Sequence, residues 1–367
     1  MLLPGKEGHG YRNRASLGLD FGLWVWDSPA MPTEMNREFP PIFDGHEDFP
    51  YEMRLGTTGF PPKPRRDFLG GSERGQVDLP RAMAGGLGGC FTSIFLTDEQ
   101  AEMGAVDYAM RLMADVYGLA DASAGRFRIC RTVADVRGCF SDGAFASVFM
   151  FEGADPISRS LKELRIFYEA GLRLVAPTWS RSTIFAHGVS FGGHLPETGL
   201  TEAGRELVAE CNRLGIILDV SHINPAGFWD MIEASETPIV ATHSSVKAIA
   251  PHVRCLDDEQ IRAIAAQGGT IGINFANGFL RPDTKFDQDD TPLELIVQHF
   301  RHIIDLIGDE HVSFGTDFDG TDVPAVIKDA TGLPLVVRAL QASGVGEAGL
   351  ERICNGNFLR VAEACWK

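Results

Sequence analysis

The chain has 367 residues, of which 44% are hydrophobic and 23% are charged, which is typical of a globular protein and excludes a disordered, collagen-like or coiled-coil chain. Asp and Glu total 50 against 33 Lys and Arg, which gives a net charge of −17. Because so acidic a surface repels phosphate backbones and anionic headgroups, we expect neither nucleic acid nor a membrane surface as a partner.

The first forty residues predict an irregular N-terminal arm. Gly, Pro, Arg and isolated aromatic residues alternate there with no helical or strand period. The segment is either such an arm or an upstream extension, with Met31 or Met35 as the true first residue. Its most apolar part, residues 17–26, contains Asp20 and lacks a small-residue cleavage site, so no secretory signal is expected.

From residue 41 to residue 367 the pattern is regular and predicts a single domain. Short apolar runs rich in β-branched and aromatic residues alternate with segments of 3.6-residue period. Strands are predicted over 41–48, 88–96, 145–153, 171–179, 215–222, 237–244, 269–276 and 311–320. Helices are predicted over 98–117, 156–170, 201–213, 224–235, 257–267, 292–307, 333–343 and 347–365.

Eight strands joined by helix-length crossovers predict a (β/α)8 TIM barrel of the metal-dependent hydrolase type, with additional C-terminal helices. Thr97, Thr201 and Asp257 precede three of the predicted helices and are suitable N-caps. A doubly wound open sheet is the alternative, but its glycine-rich phosphate-binding turn is missing after the first strand. The barrel is therefore the preferred prediction.

Charged and imidazole residues collect where the predicted strands end. In a TIM barrel these ends form the active-site face, so side chains from five strands are expected to meet on one rim. They are His46 and Asp48 on the first strand, Glu152 on the third, His222 on the fifth, His243 on the sixth and Asp317 on the eighth. Such nitrogen and oxygen donors suit zinc or a similar divalent ion. Six of them exceed the needs of one ion and predict two, with one bridging carboxylate.

The motifs around these residues resemble a known family. DGHED, FEG, LDVSH, THSS and GTDFDG, in this order and spacing, are similar to those of the renal (membrane) dipeptidase family, peptidase family M19 of the amidohydrolase superfamily. The similarity covers roughly residues 41–366. It implies a binuclear zinc dipeptidase in which two Zn²⁺ ions are bridged by Glu152 and by a water or hydroxide.

The resemblance also implies individual roles. His46 and Asp48 would bind the first zinc ion, and His222 and His243 the second. Asp317 would be the catalytic acid/base. Arg254, eleven residues after His243, matches the family arginine that binds the substrate's C-terminal carboxylate, a role suited to a planar and permanently charged guanidinium.

The chain departs from the family pattern at two positions in the substrate pocket. Trp179 stands where the family has a histidine that contacts the substrate, and Ala276 replaces a tyrosine. We expect Trp179 and Asn274 to contact the substrate. Arg181, His187 or His194, on the loop after the fourth strand, could supply the missing polar donor.

The prediction is therefore a dipeptidase that acts on dipeptides with a free C-terminal carboxylate and, as relatives do, accepts a D-residue there. One alternative is a metal-dependent hydrolase of another small amide, lactone or N-acyl amino acid. A second is a non-catalytic metal-binding barrel. The seven scattered cysteines form no CxxC motif, which predicts free thiols and a cytoplasmic location, and relatives suggest a homodimer.

Overall fold

The computed structural model describes residues 34–54, 66–191 and 196–367, and these residues form one compact unit. The strands of the described residues are β1 Ile42–Glu47, β2 Leu87–Phe95, β3 Phe127–Ile129, β4 Phe145–Glu152, β5 Leu172–Ala176, β6 Ile217–Asp219, β7 Ile239–Ala241, β8 Thr270–Ile273 and β9 Val312–Phe314. All eight predicted strands are present, although most are shorter than predicted.

The strands form a nearly closed parallel barrel, as predicted. Neighbouring strands follow the order β1-β2-β4-β5-β6-β7-β8-β9, with every pairing parallel. The first strand meets the segment after the last one through a parallel bridge between Glu47 and Phe318. The short strand β3 pairs with the start of β4 and lies outside the eight-strand order. β3 was not predicted, because Arg128 lies in the middle of its three residues and leaves no apolar run.

Helices follow most strands, as a barrel requires. They are α1 Phe49–Arg54, α2 Leu79–Gly85, α3 Asp98–Ala122, α4 Val133–Asp142, α5 Lys162–Glu169, α6 Glu202–Leu214, α7 Pro225–Ala234, α8 Asp258–Ala266, α9 Asn277–Leu280, α10 Leu293–Ile307, α11 Leu333–Ala342, α12 Glu347–Glu351 and α13 Asn357–Cys365. A π-helical segment, Arg352–Gly356, separates α12 from α13 and interrupts the single helix predicted over 347–365. The short helices α1, α2, α4 and α9 were not predicted.

The three predicted N-caps are confirmed. The Thr97 and Asp257 side chains each accept a hydrogen bond from the third backbone N–H of their helix, and each is completed into a capping box by a glutamine. Thr201 accepts a hydrogen bond from the Gly204 N–H. These helices therefore begin where the local sequence predicts.

The barrel interior is apolar below its carboxyl-terminal rim. Ala146, Val148 and Met150, alternate residues of β4, belong to a buried cluster with Phe43 and Phe91. The rings of Phe43 and Phe91 meet edge to face with centroids 5.1 Å apart. The next residue in the β4 alternation is Glu152, so the pleat directs this carboxylate into the barrel at the level of the rim.

Only the end of the predicted arm falls within the described residues, because residues 1–33 lie outside them. Residues 34–40 contain no helix or strand. Met35 is nevertheless buried in the main core, and the Asn36 N–H donates to the Met83 carbonyl at 2.8 Å. This end of the arm is therefore packed against the domain. No helix among the described residues is both long enough and apolar enough to cross a membrane.

Candidate metal centre and active site

The structure brings the six predicted rim residues together at the carboxyl end of the barrel. His46 lies within β1, and Glu152 is the last residue of β4. The other four follow the ends of β1, β6, β7 and β9 by one to three residues, and they are Asp48, His222, His243 and Asp317. The predicted strands thus ran too far, because the chain leaves the sheet just before these side chains.

Glu152 lies at the centre of the cluster, with its two carboxylate oxygens facing different partners. Oε1 is 3.0 Å from His222 Nε2 and 3.6 Å from His243 Nε2. Oε2 is 3.5 Å from His46 Nε2. A carboxylate with its oxygens divided in this way is placed to bridge two cation sites.

Two overlapping groups of donors surround Glu152. His46, Glu152 and His243 form one, and His46, Asp48 and Asp317 form the other, with the donor atoms of each group within 4.8 Å of one another. His46 Nε2 lies 3.2 Å from Asp48 Oδ2 and 4.0 Å from Asp317 Oδ1. His222 completes the cluster, since its Nε2 is 2.9 Å from His243 Nε2.

The His243 ring is oriented by a buried chain of polar groups that sequence reasoning missed. Its Nδ1 lies 2.8 Å from Thr242 Oγ1, and that hydroxyl donates to Asp219 Oδ2 at 2.7 Å. Since the hydroxyl proton goes to Asp219, Nδ1–H must donate to the threonine oxygen, which leaves Nε2 unprotonated and turned toward Glu152. Ser180 Oγ plays the corresponding part for His222, 2.8 Å from its Nδ1. Asp219 lies three residues before His222 in LDVSH, yet the histidine that it supports through Thr242 is His243, so no local pattern reveals the contact.

Burial and neighbouring charge keep two of the rings neutral. Burial and the nearby Arg254 lower the pKa of His222 to about 3. Burial, together with His46, holds the pKa of His243 well below its ordinary value. At neutral pH both rings therefore present a free lone pair, which is the form that binds a metal ion.

Asp317 has a different electrostatic environment. Burial, together with the Asp48 and Glu152 carboxylates, raises its pKa to about 7. Bound cations would oppose this shift. The raised pKa shows that this buried carboxyl group lies among like charges that only a cation or a proton would offset.

The cluster fits divalent metal ions. Two neutral imidazole nitrogens face each other at 2.9 Å, and a cation between them and Glu152 would satisfy both lone pairs. Asp48 Oδ1 is buried and has no hydrogen-bond partner in the described part of the chain. Three carboxylates and three imidazoles also match the hard and borderline donor set that zinc and similar ions prefer. The residues therefore can hold a metal centre.

Asn274 does not line the substrate cavity, contrary to our expectation. It is fully buried, its Nδ2 donates to Asp317 Oδ2 at 2.9 Å, and its Oδ1 accepts the Ala276 N–H at 2.7 Å. Both ends of the amide are therefore occupied within the protein. Asn274 positions Asp317, and Ala276 lies buried behind it.

The loop that carries Asp317 is held by a second set of residues that the sequence did not reveal. Asp317 and Asp319 both adopt left-handed backbone conformations, with φ of 63° and 67°. Asp319 Oδ1 accepts the Gln76 N–H at 2.5 Å, and Gln76 Oε1 accepts the Asp319 N–H at 2.6 Å. Arg66 forms a fully buried ion pair with Asp319. The ion pair of Arg66 with Asp319 and the two hydrogen bonds between Gln76 and Asp319 stabilise the left-handed conformation of this loop.

Arg254 is buried beside the histidines. Its guanidinium donates to the Ser221 and His243 carbonyls, and Nη2 lies 3.2 Å from His222 Nε2. Its Nε is buried and has no hydrogen-bond partner among the described residues. The guanidinium is thus fixed next to the candidate metal centre.

Trp179 lies over the same centre, as its predicted contact with the substrate requires. Its ring centroid is 6.0 Å from that of His222, and it also lines the cavity. Two of the three proposed replacement donors, Arg181 and His187, do not reach this position. Arg181 is bonded to Asp155 and His187 to Ser182, and neither lines the cavity, while His194 falls outside the described residues.

A cavity of about 220 Å³ opens above the cluster. Asp48, Glu152, His222, Arg254 and Asp317 form its polar floor. Asp319, Gly320 and Thr321 line one edge, and the remaining walls are aromatic and consist of Tyr51, Phe95, Trp179, Phe191, Phe279 and Phe286. The cavity therefore combines a polar reaction centre with apolar walls, as small-molecule sites commonly do.

Comparisons with known proteins agree with this site. The family model described as "Membrane dipeptidase (Peptidase family M19)" matches residues 33–366. A metallo peptidase of Rhodobacter sphaeroides, solved with a phosphinate mimic of the dipeptide L-Ala-D-Ala, is 37% identical with a TM-score of 0.82, and the match covers 90% of this chain and 100% of that one. A second structure, "dipeptidase AC, Metallo peptidase", is 39% identical with a TM-score of 0.82, covering 90% and 99% of the two chains.

A Klebsiella pneumoniae protein described only as an uncharacterized protein in the pqqA 5' region is 40% identical over 266 residues, 71% of this chain and 97% of its own length. The family match spans most of the chain and includes every residue of the metal cluster. The chain therefore belongs to the membrane dipeptidase family, peptidase family M19, and is a metallodipeptidase.

Proposed function

We propose that this metallodipeptidase holds two zinc ions and hydrolyses dipeptides that have a free C-terminal carboxylate. The observation that carries the proposal is the division of the Glu152 oxygens between two sets of donors, 3.5 Å from His46 on one side and 3.0 Å from His222 on the other. In the proposal His46 and Asp48 hold one ion, and His222 and His243 hold the other.

The remaining rim residues divide the chemistry between them. Bound zinc would supply polarisation of the scissile carbonyl and a water of lowered pKa. Asp317, whose Oδ2 is held by Asn274, would act as the general base and acid, accepting a proton from the attacking water and passing it to the leaving amine. Arg254, which lines the cavity beside the candidate metal centre, would bind the C-terminal carboxylate through its permanent charge.

The proposal extends to a D-residue at the C-terminal side of the substrate. It is supported by the Rhodobacter sphaeroides neighbour, whose ligand mimics L-Ala-D-Ala. We further propose a cytoplasmic location, which is supported by seven cysteines that are all buried and free. The homodimer remains a prediction, to be tested by light scattering of the purified protein.

Metal analysis and a substrate panel test the main proposal. Protein purified without chelator should contain about two metal equivalents, and the His222→Ala variant should contain about one and lose nearly all activity. A firm plateau at one equivalent in the native protein would contradict the bridging role of Glu152. Zinc-loaded protein should cleave free dipeptides and spare their C-terminal amides, because an amide leaves the Arg254 charge unpaired.

A second candidate function is hydrolysis of another small amide, lactone or N-acyl amino acid. The observation that favours it is Trp179, an indole beside His222 where the family has a polar group. Equal turnover of amidated and free dipeptides, or activity on an N-acyl amino acid alone, would support this candidate instead.

A further inference from the structure

The aromatic walls of the cavity form two separate groups. On one side the Phe95 ring packs against both Tyr51 and Trp179, with ring centroids 5.4 Å and 5.3 Å apart, respectively. On the other side Phe279 packs against Phe286 at 5.0 Å and against Phe191 at 6.4 Å. We refer to Phe191, Phe279 and Phe286 as the phenyl cluster.

The phenyl cluster lies next to Arg254. The guanidinium carbon is 5.4 Å from the centre of the Phe279 ring. The free carboxylate of a dipeptide belongs to its C-terminal residue. If Arg254 binds that carboxylate, the side chain of the same residue starts close to Phe279. The Trp179 side of the cavity, which lies over His222, is left for the rest of the substrate.

Phe286 is held in the cluster by a loop with many polar contacts. The Arg281 side chain donates to Asp283, Gln288 and Asp290 within residues 282–291. Gly278 leaves room for the phenyl ring, because a Cβ at that position would lie 2.4 Å from it. The loop and the glycine together fix an aromatic ring at the mouth of the cavity.

Two rings of the phenyl cluster remain exposed. Phe191 is 52% exposed and Phe286 is 40% exposed, whereas Phe279 beneath them is 5% exposed. A group of partly exposed aromatic rings at the mouth of a cavity is typical of a ligand-binding surface. An apolar side chain of the substrate would cover both rings and stack on them.

We propose that the phenyl cluster is the subsite for the C-terminal residue and that it selects dipeptides with an aromatic C-terminal side chain. This inference rests on the proposed function, because it takes Arg254 as the carboxylate-binding residue. It adds a substrate class and three specificity-determining residues.

The test compares Ala-Phe, Phe-Ala and Ala-Ala as substrates of the zinc-loaded protein. We expect kcat/KM to be highest for Ala-Phe. Removing one ring, as in Phe286→Ala or Phe191→Ala, should lower the ratio of Ala-Phe to Ala-Ala by about 2- to 12-fold, the range of one aromatic pair. Both rings are only partly buried, so the folded state should survive their removal, and Phe286→Leu provides a milder variant that keeps part of the packing and has a smaller expected effect.

Phe95→Ala is the matched control, since it removes a ring from the opposite wall and should leave the Ala-Phe to Ala-Ala ratio unchanged. Equal turnover of Ala-Phe and Ala-Ala by the native protein would overturn the inference and leave the dipeptidase proposal standing. A ratio that Phe286→Ala and Phe191→Ala both fail to change would also overturn it. If no free dipeptide were cleaved, the proposed function would fail, and this inference with it.

Discussion

The hydroxyl of Thr242 connects the catalytic cluster to the body of the barrel, and Thr242→Val removes it at nearly constant volume. In the native protein Oγ1 lies 2.8 Å from His243 Nδ1 and donates to Asp219 Oδ2 at 2.7 Å. The three other hydrogen bonds to Asp219, from Ser221 N, Ser221 Oγ and Thr242 N, all end on Oδ1. Valine therefore leaves two buried polar atoms without their partners.

The expected decrease in the free energy of unfolding follows from the loss of these two hydrogen-bond partners. A buried polar atom left unsatisfied costs about 1–3 kcal/mol, so two cost about 2–6 kcal/mol of the free energy of unfolding. The His243 ring also loses the contact that fixes its orientation and its protonated nitrogen. Loss of such an outer contact typically weakens metal binding 10- to 100-fold, which corresponds to about 1.4–2.7 kcal/mol.

Thermal unfolding and competitive zinc titration of the metal-free protein measure the two effects. We expect one of two zinc dissociation constants to rise 10- to 100-fold, and excess zinc to restore part of the activity. Thr270→Val is the matched control, because this threonine is also fully buried but its hydroxyl contacts Ser313 and no histidine. Two unchanged dissociation constants in Thr242→Val would refute the orientation of His243 by Thr242 and Asp219.

Three other predictions follow from the loop and from the N-terminal segment. Asp317→Asn should retain the metal content of the native protein but lose about 10²- to 10⁴-fold in turnover, and near-native kcat would exclude Asp317 as the acid/base. Asp319→Asn should destabilise the protein by about 3–5 kcal/mol, because it leaves the buried Arg66 charge unpaired, and an unchanged denaturation midpoint would contradict this. A chain that starts at Met35 should have the same melting temperature as the full-length chain. Failure of the shortened chain to fold would show that the preceding residues contribute to the core.

Much of the candidate site could be predicted because residues at the ends of parallel strands in a barrel all lie on the same rim. A strand is recognised from its own few residues, and in a parallel barrel every strand ends on the same rim. His46, Glu152 and His243 could therefore be placed together although they are far apart in the sequence. Their common location required only that each follow or end a strand, and this is visible locally in DGHED, FEG and THSS.

The tertiary structure alone decided how these residues are held and what surrounds them. Asn274 looked like a substrate contact but is turned toward Asp317, because the pleat of β8 and the left-handed loop after β9 bring the two side chains within 2.9 Å. Gln76 and Asp319 are 243 positions apart and share no local pattern, so their mutual hydrogen bonds could not be read from either segment.

The aromatic walls of the cavity have the same origin. Phe191, Phe279 and Phe286 lie on separate loops and on the short helix α9, where no periodic pattern relates one ring to another. The sequence by itself determined the barrel, its rim and the candidate donors of a metal centre, since strand period and strand ends are local properties. The support of Asp317 and the shape of the cavity depend on the packing of distant loops, and so only the folded chain decided them.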